Sequence, residues 1–363
     1  MSIKFLHAAD FHLDSAFAAL TGEQAKLRRR ESRQLLERLQ NYVNQNGVQL
    51  VLLAGDLFDG ASVFRDTVEA LIDVLGGMSA RVFIAPGNHD YYAARSPYAT
   101  LSWPENVHIF RSREIERVEL PELGCAVYGA AFTDTAQETS LLRGFAAPDD
   151  GLTHLMALHA DLNAAEARYD AITRDEIAAS NLDYLALGHT HRFDGVQRAG
   201  RTAYAYAGCP EGRGFDETGD KGVLCGEIGD GKADIRFVPF AKRRYHILRV
   251  DVTDAAPAEA LRAAMPDTAS RDLCRVIFTG ETDERGVGIK SIVEQFAPEF
   301  FHLEVRDETR IRQDVWARAQ EDSLRGLFLR ELRGRYDAAD ERGRARIEKA
   351  ARFGLAALDG RDL

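Results

Sequence analysis

Short apolar runs recur through the first 240 residues, separated by charged stretches or polar loops. The segment from Gln49 to Ala54 is almost continuously apolar and stops at Gly55. A run without polar alternation suits a strand covered on both faces. Ile3 to Ala8 reads as an earlier strand, and Arg81 to Ala85 as a later one. Between the first two, Leu27, Leu35, Leu36, Leu39 and Val43 keep a helical spacing, which predicts a helix over 23–45. Val68 to Leu75 predicts a second helix. Further strands are expected at 107–110, 125–131, 154–159, 183–188, 203–207, 223–228 and 234–238. Their crowding after residue 100 predicts a mixed sheet.

Near residue 240 the texture changes. Tyr245 to Val252 alternates at period two, and an Ala-rich helical stretch follows at 255–264. Strand 273–279, helix 287–296 and strand 300–305 complete a small β-α-β-α-β unit. From about 308 the chain reads as helices rich in Arg, Ala, Leu and Glu. The expected division is 1–243, 244–307 and 308–363. In the last part Trp316, Leu324, Leu327, Phe328 and Leu332 predict one apolar helix face, and Ile347, Ala350, Ala351, Leu355 and Leu358 a second.

The 363 residues are 45% apolar and 28% charged, which excludes a disordered or fibrous chain and permits a sizeable core. No apolar run reaches the ~18–20 residues of a membrane span. Asp10 follows only a short apolar stretch, a poor fit to a secretory signal. The four cysteines, Cys125, Cys209, Cys225 and Cys274, form no Cys-x-x-Cys pair, so reduced thiols in a cytoplasmic protein are expected. The net charge of −11 argues against a uniformly basic nucleic-acid clamp. It leaves room for acidic clusters that hold metal ions, which themselves supply positive charge.

The ten histidines sharpen this picture. Asp10-Phe11-His12 follows the first strand, Gly55-Asp56-Leu57-Phe58-Asp59 the second, and Gly87-Asn88-His89-Asp90 the third. His159 ends an apolar run, and Gly188-His189-Thr190-His191 ends another. Each motif alone is commonplace: Asp-x-His occurs in ordinary loops, Asn and Asp favour turns, and a histidine after an apolar run is often a core residue. Together, five strand ends deliver Asp, Asn or His where ligand sites of α/β sheets form. Carboxylate, amide and imidazole donors suit divalent ions such as Mn²⁺, Fe²⁺ or Zn²⁺, and a carboxylate can bridge two ions about 3.5–4 Å apart. Glycines before Asp56, Asn88 and His189 are expected to permit sharp turns and close approach.

With these motifs in this order, residues 1–240 resemble the calcineurin-like metallophosphoesterase superfamily. The opening from Phe5 to Leu13 and Gly55-Asp56-Leu57-Phe58-Asp59 are similar to SbcD-type DNA repair nucleases, as is the stretch from Tyr206 to Asp216. That family has Ser where Cys209 stands, which argues against a catalytic cysteine. The resemblance implies an α/β fold: a β-sandwich flanked by helices (α/β/β/α), a small α+β capping domain and a helical C-terminal tail. It implies two divalent ions, Mn²⁺ first, with Fe²⁺, Zn²⁺ or Mg²⁺ as alternatives. Asp10, His12, Asp56 and His191 would hold one. Asp56, Asn88, His159 and His189 would hold the other. His89 would face the scissile phosphate as proton donor, oriented by Asp59, while Asp90 supports the loop. His7 is open between a role beside the first ligands and a packed strand histidine. His108, His154, His246 and His302 fit no motif.

The activity so implied is a metal-dependent DNA exonuclease, with possible endonuclease activity, acting in DNA repair. Its expected partners are DNA, a second copy of the chain and an SbcC-type coiled-coil ATPase, with no membrane; the C-terminal helices either dock that ATPase or simply pack back on the protein's own core. Two other readings stand beside it: a diesterase of small molecules or cyclic nucleotides, favoured slightly by the acidic charge, and an idle scaffold, disfavoured by the intact ligand set.

Overall fold

The computed structural model describes residues 2–60, 63–162, 168–229, 231–282, 286–311 and 314–358. In chain order its first part contains β1 (Ile3–Ala8), α1 (Gly22–Gln45), β2 (Leu50–Leu53), α2 (Arg65–Gly76), β3 (Arg81–Ile84), the single turn α3 (Pro97–Thr100) and β4 (Val107–Ile109). Next come β5 (Glu116–Leu120), β6 (Cys125–Gly129), β7 (Thr153–His159), β8 (Asp161–Leu162), β9 (Ala171–Ile172), α4 (Arg174–Ala179) and β10 (Tyr184–Gly188). β11 (Gln197–Ala199), β12 (Thr202–Tyr206), β13 (Gly222–Gly229) and β14 (Lys232–Pro239) follow.

These strands form two mixed six-stranded sheets. The first runs β14-β13-β1-β2-β3-β4, parallel from β1 to β4 and antiparallel at β13 and β14. The second runs β11-β12-β10-β7-β6-β5, parallel from β6 to β12 and antiparallel at both edges. Strand periodicity assigns the layers. Phe5, Leu50, Leu52 and Phe83 face Val127, Leu155, Ala157, Tyr184 and Ala186 in a core between the sheets. Their neighbours Leu6, Val51, Leu53, Val82 and Ile84 point the other way, onto Leu35, Leu36, Leu39 and Val43 of α1 and Val68, Leu71 and Leu75 of α2. Met156, Leu158, Leu185 and Leu187 turn outward to a third cluster with Ile177 of α4. Strands buried on both faces explain the unbroken apolar runs. α1 opens with a reciprocal capping box between Thr21 and Gln24.

The chain divides into two compact units, one of Met1–Ile247, Asp267–Arg275 and Glu299–Leu303, the other of Leu248–Pro266, Val276–Pro298 and Glu304–Leu363. The later elements are β15 (Tyr245–Asp251), α5 (Pro257–Ala264), β16 (Leu273–Thr279), β17 (Glu281–Thr282), α6 (Ile289–Phe296), β18 (His302–Asp307), β19 (Arg310–Ile311), α7 (Leu324–Asp337) and α8 (Glu341–Leu358). Within the second unit Val315, Ala319, Leu329 and Ala351 form a small cluster, joined by Trp316, Phe328, Leu332 and Leu355. This corrects the expected apolar face. Trp316 lies before α7, which starts only after the Ser323 cap, and Leu324 and Leu327 are exposed. No helix among the described residues is long and apolar enough to cross a membrane.

Candidate metal centre

The parallel strands β1, β2, β3, β7 and β10 end on the same side, and their C-terminal loops carry the predicted residues. Backbone hydrogen bonds join the first two loops: Asp10 N–H donates to Gly55 O (3.0 Å), His12 N–H to Asp56 O (2.9 Å) and Leu13 N–H to Leu57 O (2.8 Å). The Asp90 carboxylate binds the third loop to the second. It accepts from the N–H groups of Gly87 (2.8 Å), Leu57 (2.7 Å), Asp56 (3.2 Å) and Phe58 (3.3 Å), and from the Tyr98 hydroxyl (2.6 Å). The platform is strained: Asp10, His12, Asp56 and His189 have φ of 56°, 42°, 52° and 105°. Non-glycine residues in such conformations persist where their surroundings over-determine them.

Hydrogen bonding fixes the tautomers of His159 and His12. A carbonyl can only accept, so His159 Nδ1–H donates to Ala54 O (3.0 Å). Burial drives the His159 pKa down to about 4, so the ring is neutral and Nε2 is bare. That bare nitrogen faces Asn88 Oδ1 at 2.9 Å and Asp56 Oδ2 at 3.5 Å. His12 Nδ1–H donates to Asp59 Oδ1 (3.0 Å), and His191 Nδ1 lies 2.7 Å from Glu217 Oε1. The Nε2 atoms of His12 and His191 are 3.2 Å apart, with Asp10 Oδ1 3.7 Å from the latter and Asp56 Oδ2 3.6 Å from the former. The bare Nε2 atoms of His12 and His159 are aimed at carboxylate oxygens, an arrangement that repels unless a cation lies among them. Three ligand groups emerge: Asp10, His12 and His191; Asp10, Asp56 and His159; and His12, Asp56 and His89.

The carboxylates agree. Burial, then the neighbouring Asp56, pushes Asp10 well above the carboxylate range; burial, then Asp90, pushes Asp56 up to about 7. Both are disfavoured as anions without a compensating cation, and both have imidazole rings beside them. Burial likewise takes His12 to about 3. The residues fit divalent metal ions.

Other predicted positions are more peripheral. The His189 ring lies beside His159 (centroids 5.2 Å) and Tyr169 (5.0 Å), with Nε2 3.8 Å from Asp161, while its N–H donates to the Asp10 carboxylate at 3.1 Å. It belongs to none of the three groups. His89 is half exposed, and its N–H donates to Asp56 Oδ1 (2.9 Å). Asp59 was expected to orient His89, but the ring's Nδ1 is 4.0 Å away; the same oxygen takes the shorter bond from His12. His7 is a packed strand histidine, set between Tyr184 Oη (2.9 Å) and Leu187 O (3.1 Å), with its pKa lowered to about 3 by burial.

Close approach explains the glycines. A Cβ on Gly188 would lie 1.8 Å from Ala54 O, and one on Gly87 2.2 Å from Asp56 Oδ1. Neither has a positive φ, so contact, and not turning, requires them. Two residues escaped the sequence reading: buried Glu217, which binds His191, and Arg213, 3.2 Å from Asp59 and 2.8 Å from Glu217. Arg213 lies in the stretch from Tyr206 to Asp216 noted for its resemblance, with Glu217 just after it, but nothing in the sequence marks their contacts. Cys209 is buried beside them, its thiol pushed well up by burial, in keeping with no nucleophilic role.

The chain belongs to the calcineurin-like phosphoesterase family, whose model matches residues 3–193. It is similar to the uncharacterized metallophosphoesterase YhaO of Bacillus subtilis (strain 168), 29% identical over 280 residues, which cover 74% of this chain and 68% of that protein. It is also similar to the SbcD component of nuclease SbcCD from the same organism, 25% identical over 261 residues, or 60% of this chain and 64% of that protein. The chain thus spans about two thirds of the length of these curated relatives. Membership makes it a metal-dependent hydrolase of phosphoesters.

Proposed function

We propose that the protein is a two-metal phosphodiesterase that cuts DNA from its ends, with possible internal cleavage, in DNA repair. The observation that carries the catalytic part is the convergence of bare imidazole nitrogens on buried carboxylates. The choice of DNA rests on likeness to the SbcD component of nuclease SbcCD and on the residues of the first two motifs. Asp10, His12, Asp56 and His191 would hold one ion, and Asp56, Asn88, His159 and His189 the other, with Asp56 shared; Mn²⁺ is the proposed ion. Ions held there lower the pKa of water and offset the charge of the diester oxygens. Asp59 and Glu217 fix the rings of His12 and His191. Asn88 turns its amide oxygen toward His159, and Asp90 locks the loops of β2 and β3 in register. His89, open to solvent beside Asp56, is the proton donor to the leaving sugar oxygen.

Proposed partners are DNA, a second copy of the chain and an SbcC-type coiled-coil ATPase docking on α7 and α8; the proposed compartment is the cytoplasm. The 1–243, 244–307 and 308–363 division is kept as nuclease, capping and docking parts. The deciding assay compares linear single- and double-stranded DNA with bis-p-nitrophenyl phosphate and cyclic nucleotides, all with Mn²⁺. Cleavage of DNA ends supports the reading. Hydrolysis confined to small diesters overturns it in favour of the small-molecule alternative.

A further inference from the structure

We propose that Arg213 is a positioning residue of the metal centre, tying together the two carboxylates that orient His12 and His191. This rests on the two-metal reading above. Its Nη1 lies 3.2 Å from Asp59 Oδ1, and its Nη2 and Nε lie 2.8 and 3.2 Å from Glu217 Oε1. Asp59 accepts the Nδ1–H of His12, while His191 Nδ1 lies 2.7 Å from Glu217 Oε1 and 3.0 Å from Arg213 Nη2 itself. The result is a closed ring: Asp59, His12, His191, Glu217 and Arg213, with the two Nε2 atoms 3.2 Å apart at its far side.

The arginine is itself held firmly. Its N–H donates to Glu217 Oε2 (2.7 Å), and its carbonyl accepts from the Tyr245 hydroxyl (3.0 Å). The preceding Gly212 carbonyl accepts from Arg28 Nη2 (2.8 Å). Arg28 is fully buried and pinned by Glu31 (3.0 Å) and Glu211 (2.8 Å). A planar fork can address two carboxylates at once, which an ammonium cannot. Partners behind metal-bound histidines set ring orientation, and losing one typically costs about 10–100-fold in metal affinity.

The test is Mn²⁺ binding to the full chain by calorimetry, with the melting temperature of the metal-free protein measured alongside. Arg213→Lys keeps the charge and loses the fork; Arg213→Ala loses both. Arg192→Ala is the control, since exposed Arg192 pairs with Asp194 and carries the same charge beside His191. The expected result is that R213K weakens one of two Mn²⁺ sites by about 10-fold and R213A by up to about 100-fold. The other site and the control should be unchanged, and metal-free R213K should melt near wild type. Turnover of bis-p-nitrophenyl phosphate by R213K should recover to within a few-fold at saturating Mn²⁺. Wild-type affinity at both sites in both variants overturns the inference, as does equal weakening by R192A. R213K that loses both metals together with its thermal stability also overturns it. Wild-type protein that binds no Mn²⁺ overturns the underlying two-metal reading instead.

Discussion

The two sheets contribute to the centre unequally. The loops of β1, β2 and β3 supply every oxygen donor, Asp10, Asp56 and Asn88, and they are bonded to one another through their backbones and through Asp90. The loops of β7 and β10 supply His159, His189 and His191, and these lean on the first sheet: His159 on Ala54 O, and the His189 N–H on Asp10. The first sheet's anchor, Asp90, has both oxygens satisfied by five donors. Asp170, buried in the β7–β10 connection, accepts from the Leu141 N–H (2.7 Å) through one oxygen, while its Oδ2 has no hydrogen-bond partner among the described residues. One sheet is a self-supporting platform, and the other is aligned by it.

The strongest way to break this comparison is to damage each side in turn. Asp56→Asn should reduce hydrolysis to background and lose both metals, because an amide cannot neutralise two dications. His159→Ala should lose only one. Elemental analysis of purified protein reads the difference, and two full-occupancy metals in the Asp56 variant would defeat the bridging role. His89→Ala should keep both metals while turnover on DNA falls about 10²–10⁴-fold, the usual share of a positioned proton donor. The loss should be smaller with an activated aryl diester, whose leaving group needs little protonation.

Smaller effects probe the joint and the weaker anchor. Gly188→Ala drives a Cβ against Ala54 O, where the two sheets' loops meet. It should cost about 1–3 kcal/mol of stability, as overpacking does, measured by urea unfolding. Asp170 is pushed up to about 7 by burial. The folded protein therefore holds that proton more tightly than the unfolded chain, where the pKa is about 3.9. Its contribution is full below about pH 4 and lost as pH rises to about 7. Asp170→Asn cannot titrate, so its stability relative to wild type should grow between pH 4 and 7. A pH-independent difference would remove Asp170 as the weak point.

Much of this was legible in residue order because doubly buried strands must be apolar and their loop ends must not be. β16 reads directly from Leu273–Thr279, and β1 through β3 from their runs. β5 did not, since Glu-Arg-Val-Glu-Leu at a sheet edge has little to bury. That the strands split into two sheets came from the resemblance, as period two alone does not say which face meets which layer. The ligand candidates stood out as motifs, whereas Arg213 and Glu217 act through other side chains, and chain spacing does not reveal such contacts. In the tail the spacing ran one face back to Trp316, because helical periodicity does not reveal the cap at Ser323 that starts α7.

The left-handed backbone at Asp10, His12, Asp56 and His189 has a consequence for engineering. Each such position costs of order 1–3 kcal/mol, and glycine or asparagine would relieve part of it. A screen for heat resistance alone would therefore reward changes at the residues the chemistry needs. Thermal reserve and catalysis both draw on these four torsions, so a stabilised variant is best sought away from them, as at Asp170.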